Sequence, residues 1–395
     1  MISRQRRRSM IKGVFPVKQF RQQDTPFYYY DMALLRKTLD ALTAEIEKYG
    51  YHQHYAVKAN ANPHILSAIA ARGFGADCVS GGEIEAALAC GFPASKIVFA
   101  GVGKADWEIR LGLEHDIACF NVESLAELRV IDGLAAERKQ TARVALRVNP
   151  DIDAHTHAKI TTGLQENKFG INLSLLPGVF AGMRGMKHVR FTGLHFHIGS
   201  QITDMSAFRD MCIRSNDLQD ELEAQGIAVG NVNFGGGLGI DYHHPNHLDV
   251  PDFESYFAVF HKLVRHRPGQ QIHFELGRSV VGQCGSLISR VLYVKEGETK
   301  KFAVLDAGFT ELLRPAFYDA YHRIENITSN GETDRYDVVG PVCESSDVFG
   351  KEVELNEVHR NDLIAFRSAG AYGEVMAMRY NCRPLPKAFF SDRLP

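Results

Sequence analysis

From about residue 30 the chain alternates two kinds of hydrophobic pattern. YDMALLRKTLDALTAEIEKYG places apolar residues at helical spacing and ends at Gly50, which predicts an amphipathic helix. Short apolar, β-branched or alternating runs follow at HQHYAVKA, GADCVSG, KIVFAG, DIACFNV, RVALRVNP, FTGLHFHIG, GNVNFGGG and QIHFELGR, and each reads as a strand. Helical patterns separate them: NPHILSAIAARG, GGEIEAALACGF, ADWEIRLGLEHD, VESLAELRVIDGLAAERK, MSAFRDMCIRSNDLQDELEAQG and FESYFAVFHKLVRH. The boundaries carry helix-start chemistry, with Asn62 as N-cap before Pro63 and a capping box from Ser80 to Glu83.

Eight strands in a βα series over about 250 residues match an α/β (β/α)8 TIM barrel. A doubly wound sheet is the alternative, but the GxGxxG expected after its first strand is missing. After Arg278 the pattern becomes strand-like and turn-rich (SLISRVLYVKEG, KKFAVLDAG, RYDVVGPVC, DLIAFRSAGAYG). The predicted organisation is therefore a barrel over 30–278 and a second, mostly β C-terminal domain over 279–395, completed by 11–29 with its GVFPVKQF. Residues 1–10, MISRQRRRSM, read as a basic, disordered leader or a start-site extension before Met10.

Composition narrows the class of partner. At 395 residues, with 45% apolar and 23% charged side chains, the chain resembles ordinary soluble proteins able to bury a large core. A net charge of -2 creates no field that gathers nucleic acid or an anionic membrane, so small molecules and further copies of the chain are the expected partners. No apolar run approaches the roughly 18 residues that span a bilayer. The seven cysteines are scattered, with no CxxC pair, which argues for a reducing, cytoplasmic setting and against a structural zinc site.

Barrel chemistry sits at the C-terminal ends of the strands. Strand one ends in Lys58, strand five in Arg147 and Asn149, strand six in His197, strand seven in Gly235-Gly236-Gly237, and strand eight in Glu275 and Arg278. A lone strand-end lysine most often snorkels to water, and a lone glycine run is most often a tight turn. Together with an imidazole and a carboxylate they have another meaning. Pyridoxal phosphate needs an amine for its aldimine, amides for its phosphate, a partner for its ring face and a carboxylate at its ring nitrogen. Lys58, the glycines with Gly277-Arg278, His197 and Glu275 supply that set. His195 and His197, two apart, share a face on a strand and keep a zinc-dependent hydrolase open, although the pair is on strand six rather than the first strand and no carboxylate evidently closes a ligand set; a core histidine with one satisfied nitrogen is a fair alternative for His195.

The stretches YAVKAN, SGGE, RVNPDIDAHTH, KFGI, HFHIGSQI, GGGLG, ELGR, LRPAFYDAYH, GPVCESSD and GAYG cover nearly the whole chain from about residue 27. Through them the sequence resembles the barrel-type, alanine-racemase-like decarboxylases of basic amino acids. The resemblance implies that Lys58 carries the covalent link and His197 stacks on the cofactor ring. It implies that Ser200, Gly237, Gly277 and Arg278 surround the phosphate, with Tyr372 reaching it from the β domain, and that Arg278, Arg314, Tyr318, Glu344 and Tyr372 contact substrate. Cys343 is implied as the acid that protonates the carbanion, contributed by the second subunit of a homodimer. One departure is Leu276, where the family commonly has proline.

Within that family the charges favour one substrate. Meso-diaminopimelate has a distal amine and a distal carboxylate, and Arg278, Arg314 and Glu344 offer both complementary signs. Lysine or ornithine would leave a guanidinium unpaired, a mismatch able to discriminate by about 10⁴. A sister decarboxylase acting on other basic amino acids and a non-catalytic binding protein derived from such an enzyme are the remaining readings.

Overall fold

The computed structural model describes residues 15–152 and 168–394. The eight predicted strands close into one parallel barrel: β1 His52–Ala56, β2 Gly75–Cys78, β3 Ile97–Phe99, β4 Cys119–Val122, β5 Ala142–Asn149, β6 Val189–His195, β7 Asn231–Asn233 and β8 Gln271–Phe274. Each pairs with its neighbours in chain order. The ring closes where β8 meets β1, with His273 opposite His52 and Phe274 opposite Gln53. The strands are nearly continuous in burial because helices cover their outer face and side chains fill the inside. The barrel anticipated from the alternation is thus the observed fold.

Strand alternation decides what each side sees. On β8, Phe274 turns outward, where its ring lies 4.8 Å from that of Phe260 and 4.9 Å from that of Phe257 on the helix Phe253–Leu263. Inward go its neighbours His273 and Glu275.

The local signals are largely realised. Asn62 caps the helix Pro63–Ala70 by accepting from the His64 amide at 3.0 Å. Ser80 accepts from the Glu83 amide at 3.2 Å, but Glu83 reaches back to the amide of Val79 at 2.8 Å rather than that of Ser80, so the capping box is displaced by one residue. A helix that the pattern did not announce, Leu176–Met183, lies between β5 and β6. Its Pro177, Gly178 and Gly182 lower helix propensity and hide the apolar face, whereas proline in a first turn is harmless.

The chain divides into two compact units, one formed by Leu39–Ile240 and Pro251–Val280 and holding the barrel, the other by the residues up to Thr38, Asp241–Val250 and Val281 onward. The second unit is built on strands ordered Ile324–Asn326, Leu363–Phe366, Gly285–Glu296, Lys301–Leu305, Thr333–Val339 and Val348–Asn356. Phe27–Tyr30 pairs antiparallel with the start of Gly285–Glu296 and parallel with Lys387–Phe390. In the GVFPVKQF segment, Val17–Phe20 form one helical turn, and Phe20 packs in a core with Phe27, Tyr29, Ile288 and Leu363. Residues 1–10 lie outside the described residues, as does most of the 151–169 loop that RVNPDIDAHTH opens.

Candidate active site at the carboxyl end of the barrel

Lys58 lies in a single 3-10 turn, Val57–Ala59, just beyond β1. The Tyr55 hydroxyl donates to the carbonyl of Asn60 at 3.0 Å and pins that turn. The Lys58 ammonium is 3.7 Å from a carboxylate oxygen of Asp77, an inward residue of β2. Asp77 is buried, and neither of its oxygens accepts a hydrogen bond among the described residues. Burial, reinforced by the negative charge of Glu275, pushes its carboxyl up to about 8 against the pull of Lys58.

Glu275, directly after β8, has the opposite fate. Burial opposes its charge, yet His195 donates to it from Nε2 at 2.8 Å, and the amides of Asn233 and Asn121 donate at 2.6 and 3.2 Å. With Lys58 and His54 nearby, the balance holds the carboxyl well below the usual carboxylate range. Of the two buried acids, Glu275 keeps the charge and Asp77 resists it. A buried, ionised carboxylate is what a protonated ring nitrogen requires.

β6 ends at His195, so His197 belongs to the extended segment beyond the strand and the expected shared strand face does not exist. Burial, then the charges of Lys58 and Arg147, lower His197 well below the ordinary imidazole range, so the ring is neutral. The Gly236 amide points at its Nδ1 at 3.4 Å, which places the ring proton on Nε2.

Glycine at 235 and 236 is required by the packing of the strand ends as much as by any ligand. A Cβ at Gly236 would lie 2.3 Å from the Glu275 carbonyl oxygen, and one at Gly235 would lie 2.4 Å from that of Phe196. The Gly235 amide is engaged by the Asn233 side chain at 2.8 Å, which shifts the expected phosphate contact toward Gly237, whose φ of +110° suits glycine. A Cβ at Gly277 would sit 2.9 Å from Ala56 Cβ, so glycine lets this segment approach the Lys58 turn. Arg278 donates to the Ser200 hydroxyl at 3.0 Å. Leu276, in place of proline, is fully buried, and its carbonyl accepts from the Ala56 amide at 3.3 Å, so the exchange leaves the backbone path joined to β1.

The barrel unit therefore gathers Lys58, His197, Ser200, Gly237, Glu275, Gly277 and Arg278 at one end of the strands. The donor set fits pyridoxal phosphate: an amine, a neutral flat imidazole, a fixed carboxylate, and a hydroxyl, a guanidinium and glycine backbone for a phosphate. Arg147 is spent on structure, pairing with buried Glu123 at 3.1 Å and stacking over Phe169 at 4.8 Å. With His195 committed to Glu275, no group of three metal-ligating side chains exists among the described residues.

The other predicted residues lie in the second unit. Arg314 opens the short helix Arg314–Tyr318, shares a hydrogen bond with His322 at 2.7 Å and packs over Tyr242. Tyr318 ends that helix. Cys343 and Glu344 are exposed, with Glu344 accepting from the Tyr380 hydroxyl at 2.6 Å, and Tyr372 holds a φ of +56°. Asp77, Asn121, Asn233 and Glu123 escaped the reading of the sequence. For Asp77 and Asn121 the available signal was a polar residue inside a short, otherwise apolar barrel strand.

Comparison with known proteins agrees with this chemistry. A model of the family described as pyridoxal-dependent decarboxylase, pyridoxal binding domain, matches residues 33–282. A diaminopimelate decarboxylase of Bacteroides thetaiotaomicron is 64% identical over 385 residues, covering 97% of this chain and 100% of the relative. One from Haemophilus influenzae is 41% identical over 371 residues, covering 93% and 88%. The crystal structure of the Helicobacter pylori diaminopimelate decarboxylase complexed with L-lysine superposes with a TM-score of 0.90 at 38% identity, covering 96% of this chain and 95% of that one. The chain belongs to the pyridoxal-dependent decarboxylases. Its branch of that family is the diaminopimelate decarboxylases, which act in lysine biosynthesis.

Proposed function

We propose that this chain removes carbon dioxide from the D-configured centre of meso-2,6-diaminopimelate to yield L-lysine, using pyridoxal 5'-phosphate held by the residues at the carboxyl end of the barrel. The observation that carries the assignment is Glu275, kept ionised by His195, Asn233 and Asn121 at the same barrel end as Lys58 and His197. The cofactor, when bound, supplies an electron sink for the pair left behind as carbon dioxide departs. Lys58 is its covalent anchor. His197 would offer its neutral face to the ring, and Glu275 would supply the carboxylate for the ring nitrogen. Ser200, Gly237, Gly277 and Arg278 hold the phosphate with Tyr372.

Arg278, Arg314, Tyr318, Glu344 and Tyr372 bind the substrate, opposing its carboxylates and distal ammonium with both signs of charge. Cys343 delivers a proton from Sγ to the carbon that has lost carbon dioxide. Exposure of Cys343 and Glu344, with Phe317, Tyr321 and Tyr380 also exposed on the same unit, supports a homodimer in which a second copy covers this surface. Residues 30–278 act as the cofactor-binding domain, consistent with the family match, and 279–395 with 11–29 as the β domain. Seven free cysteines support a cytoplasmic location, and no described helix is long and apolar enough to cross a membrane.

The test is production of lysine by pure, cofactor-loaded protein given meso-diaminopimelate, beside Lys58→Ala. Wild type forms lysine and shows the visible absorbance of the anchored cofactor; the variant loses both. Turnover near the wild-type rate in Lys58→Ala overturns the anchor, and folded, loaded wild type that forms no lysine overturns the substrate.

A further inference from the structure

At the opposite end of the same barrel the strands begin, and there the interior is open. A cavity of about 610 Å³ is lined by residues at the starts of the strands, a volume within the range of about 300–1,000 Å³ typical of small-molecule sites. It stays open because inward residues here are small: Gly75 on β2, Cys119 on β4 and Ala145 on β5, the last two forming an apolar wall with Val98. Gly75 has a second reason to be glycine. A Cβ there would lie 2.3 Å from both His54 Nδ1 and the Lys96 carbonyl oxygen, which bond to one another at 3.0 Å.

That bond sets the protons of a two-histidine relay. The Lys96 carbonyl can only accept, so His54 carries its proton on Nδ1 and leaves Nε2 as an acceptor. His54 Nε2 is 3.0 Å from Nδ1 of His273, which must therefore donate. His273 Nε2 is then left as a bare lone pair. His273 is among the residues that line the cavity, and its Nε2 is buried with no hydrogen-bond partner among the described residues. Burial lowers His273 well below the ordinary imidazole range, so it does not relieve the deficit by taking a proton.

The mouth has both signs of charge. Arg143 is tied to Asp116, and Arg72 to Asp40. Glu47 and Lys96, both exposed, have no ion-pair partner among the described residues; the Lys96 ammonium donates only to the Gly73 carbonyl at 2.7 Å. A buried acceptor, an aliphatic wall and a zwitterionic rim together specify a ligand. We propose that this cavity is a second small-molecule site for an aliphatic α-amino acid with a distal amine, its amine accepted by His273 and its α-ammonium and α-carboxylate set against Glu47 and Lys96. Asn121 and Asn233 line the same cavity and donate to Glu275, so an occupant touches two of the three groups that hold that carboxylate. The ligand class follows from the cavity's own groups and stands whether or not the proposed reaction does.

Calorimetric titration of the holoenzyme with L-lysine tests it, because lysine belongs to this class and the two sites are counted separately. Two equivalents per chain are expected in wild type. Glu47→Gln, an exposed change that leaves the fold intact, and His273→Leu each weaken one equivalent by about tenfold or more while kcat is unchanged. A single equivalent in wild type that both variants leave intact places lysine at the reaction site only and overturns the proposal. So does a second equivalent indifferent to both substitutions. Failure of the reaction reading would instead remove the other equivalent and spare this one.

Discussion

Asp77 and Glu275 are two carboxyls of the same barrel interior that titrate in opposite directions, and the charges and hydrogen-bond donors around each separate them. Three donors converge on Glu275; none reaches Asp77 among the described residues. The consequence for stability has a definite sign. A carboxyl raised from 3.8 to about 8 penalises the folded state once it must ionise, so its effect is absent below about pH 4, grows as pH rises, and levels off above about pH 8. Asp77→Asn removes that penalty. In cofactor-free protein its melting temperature relative to wild type is expected to rise by several degrees between pH 4 and 8; a parallel pair of curves would show that Asp77 is charged throughout. Lys58, His197 and Glu275 were legible because each follows a strand-like run and their chemistries complete one another. Asp77, Asn121 and Asn233 were not, since in strands of three or four residues the side facing inward cannot be separated from the side facing outward by alternation alone.

The turn after β7 does for the site what a side chain cannot. Its glycines let the ends of β6, β7 and β8 approach until backbone meets backbone, with Gly236 against the Glu275 carbonyl. Gly236→Ala puts a methyl 2.3 Å from that oxygen, closer than a Cβ can stand, so the turn or the Glu275 segment must move. Pyridoxal phosphate is expected to bind at least about tenfold more weakly, read from its absorbance at equilibrium, with far-UV circular dichroism unchanged. Unaltered cofactor affinity would assign the glycine to packing alone. The strands were legible because apolar runs bounded by turn residues recur at even spacing. The helix Leu176–Met183 was hidden by its own glycines and proline, and the end of β6 was misplaced because HFHIG remains apolar after the hydrogen-bonded ladder stops at His195.

For the molecule as a whole, the barrel was readable from alternation, whereas the proposal of a second copy came only through resemblance, because exposure of Cys343 and Glu344 has no signature in one dimension. Mixing Lys58→Ala with Cys343→Ala protein under conditions that exchange subunits tests it: heterodimers with one intact site regain up to about a quarter of wild-type activity if sites are shared, and nothing if each chain works alone. The seam of the barrel has a further consequence, for the order of events in synthesis. Lys58 follows the first strand and Glu275 the last, and the two strands are neighbours only because His273 and Phe274 pair with His52 and Gln53. On a ribosome Lys58 emerges more than two hundred residues before Glu275. The nascent chain cannot assemble the pocket until the ring has closed, so the capture of a reactive aldehyde is timed by topology.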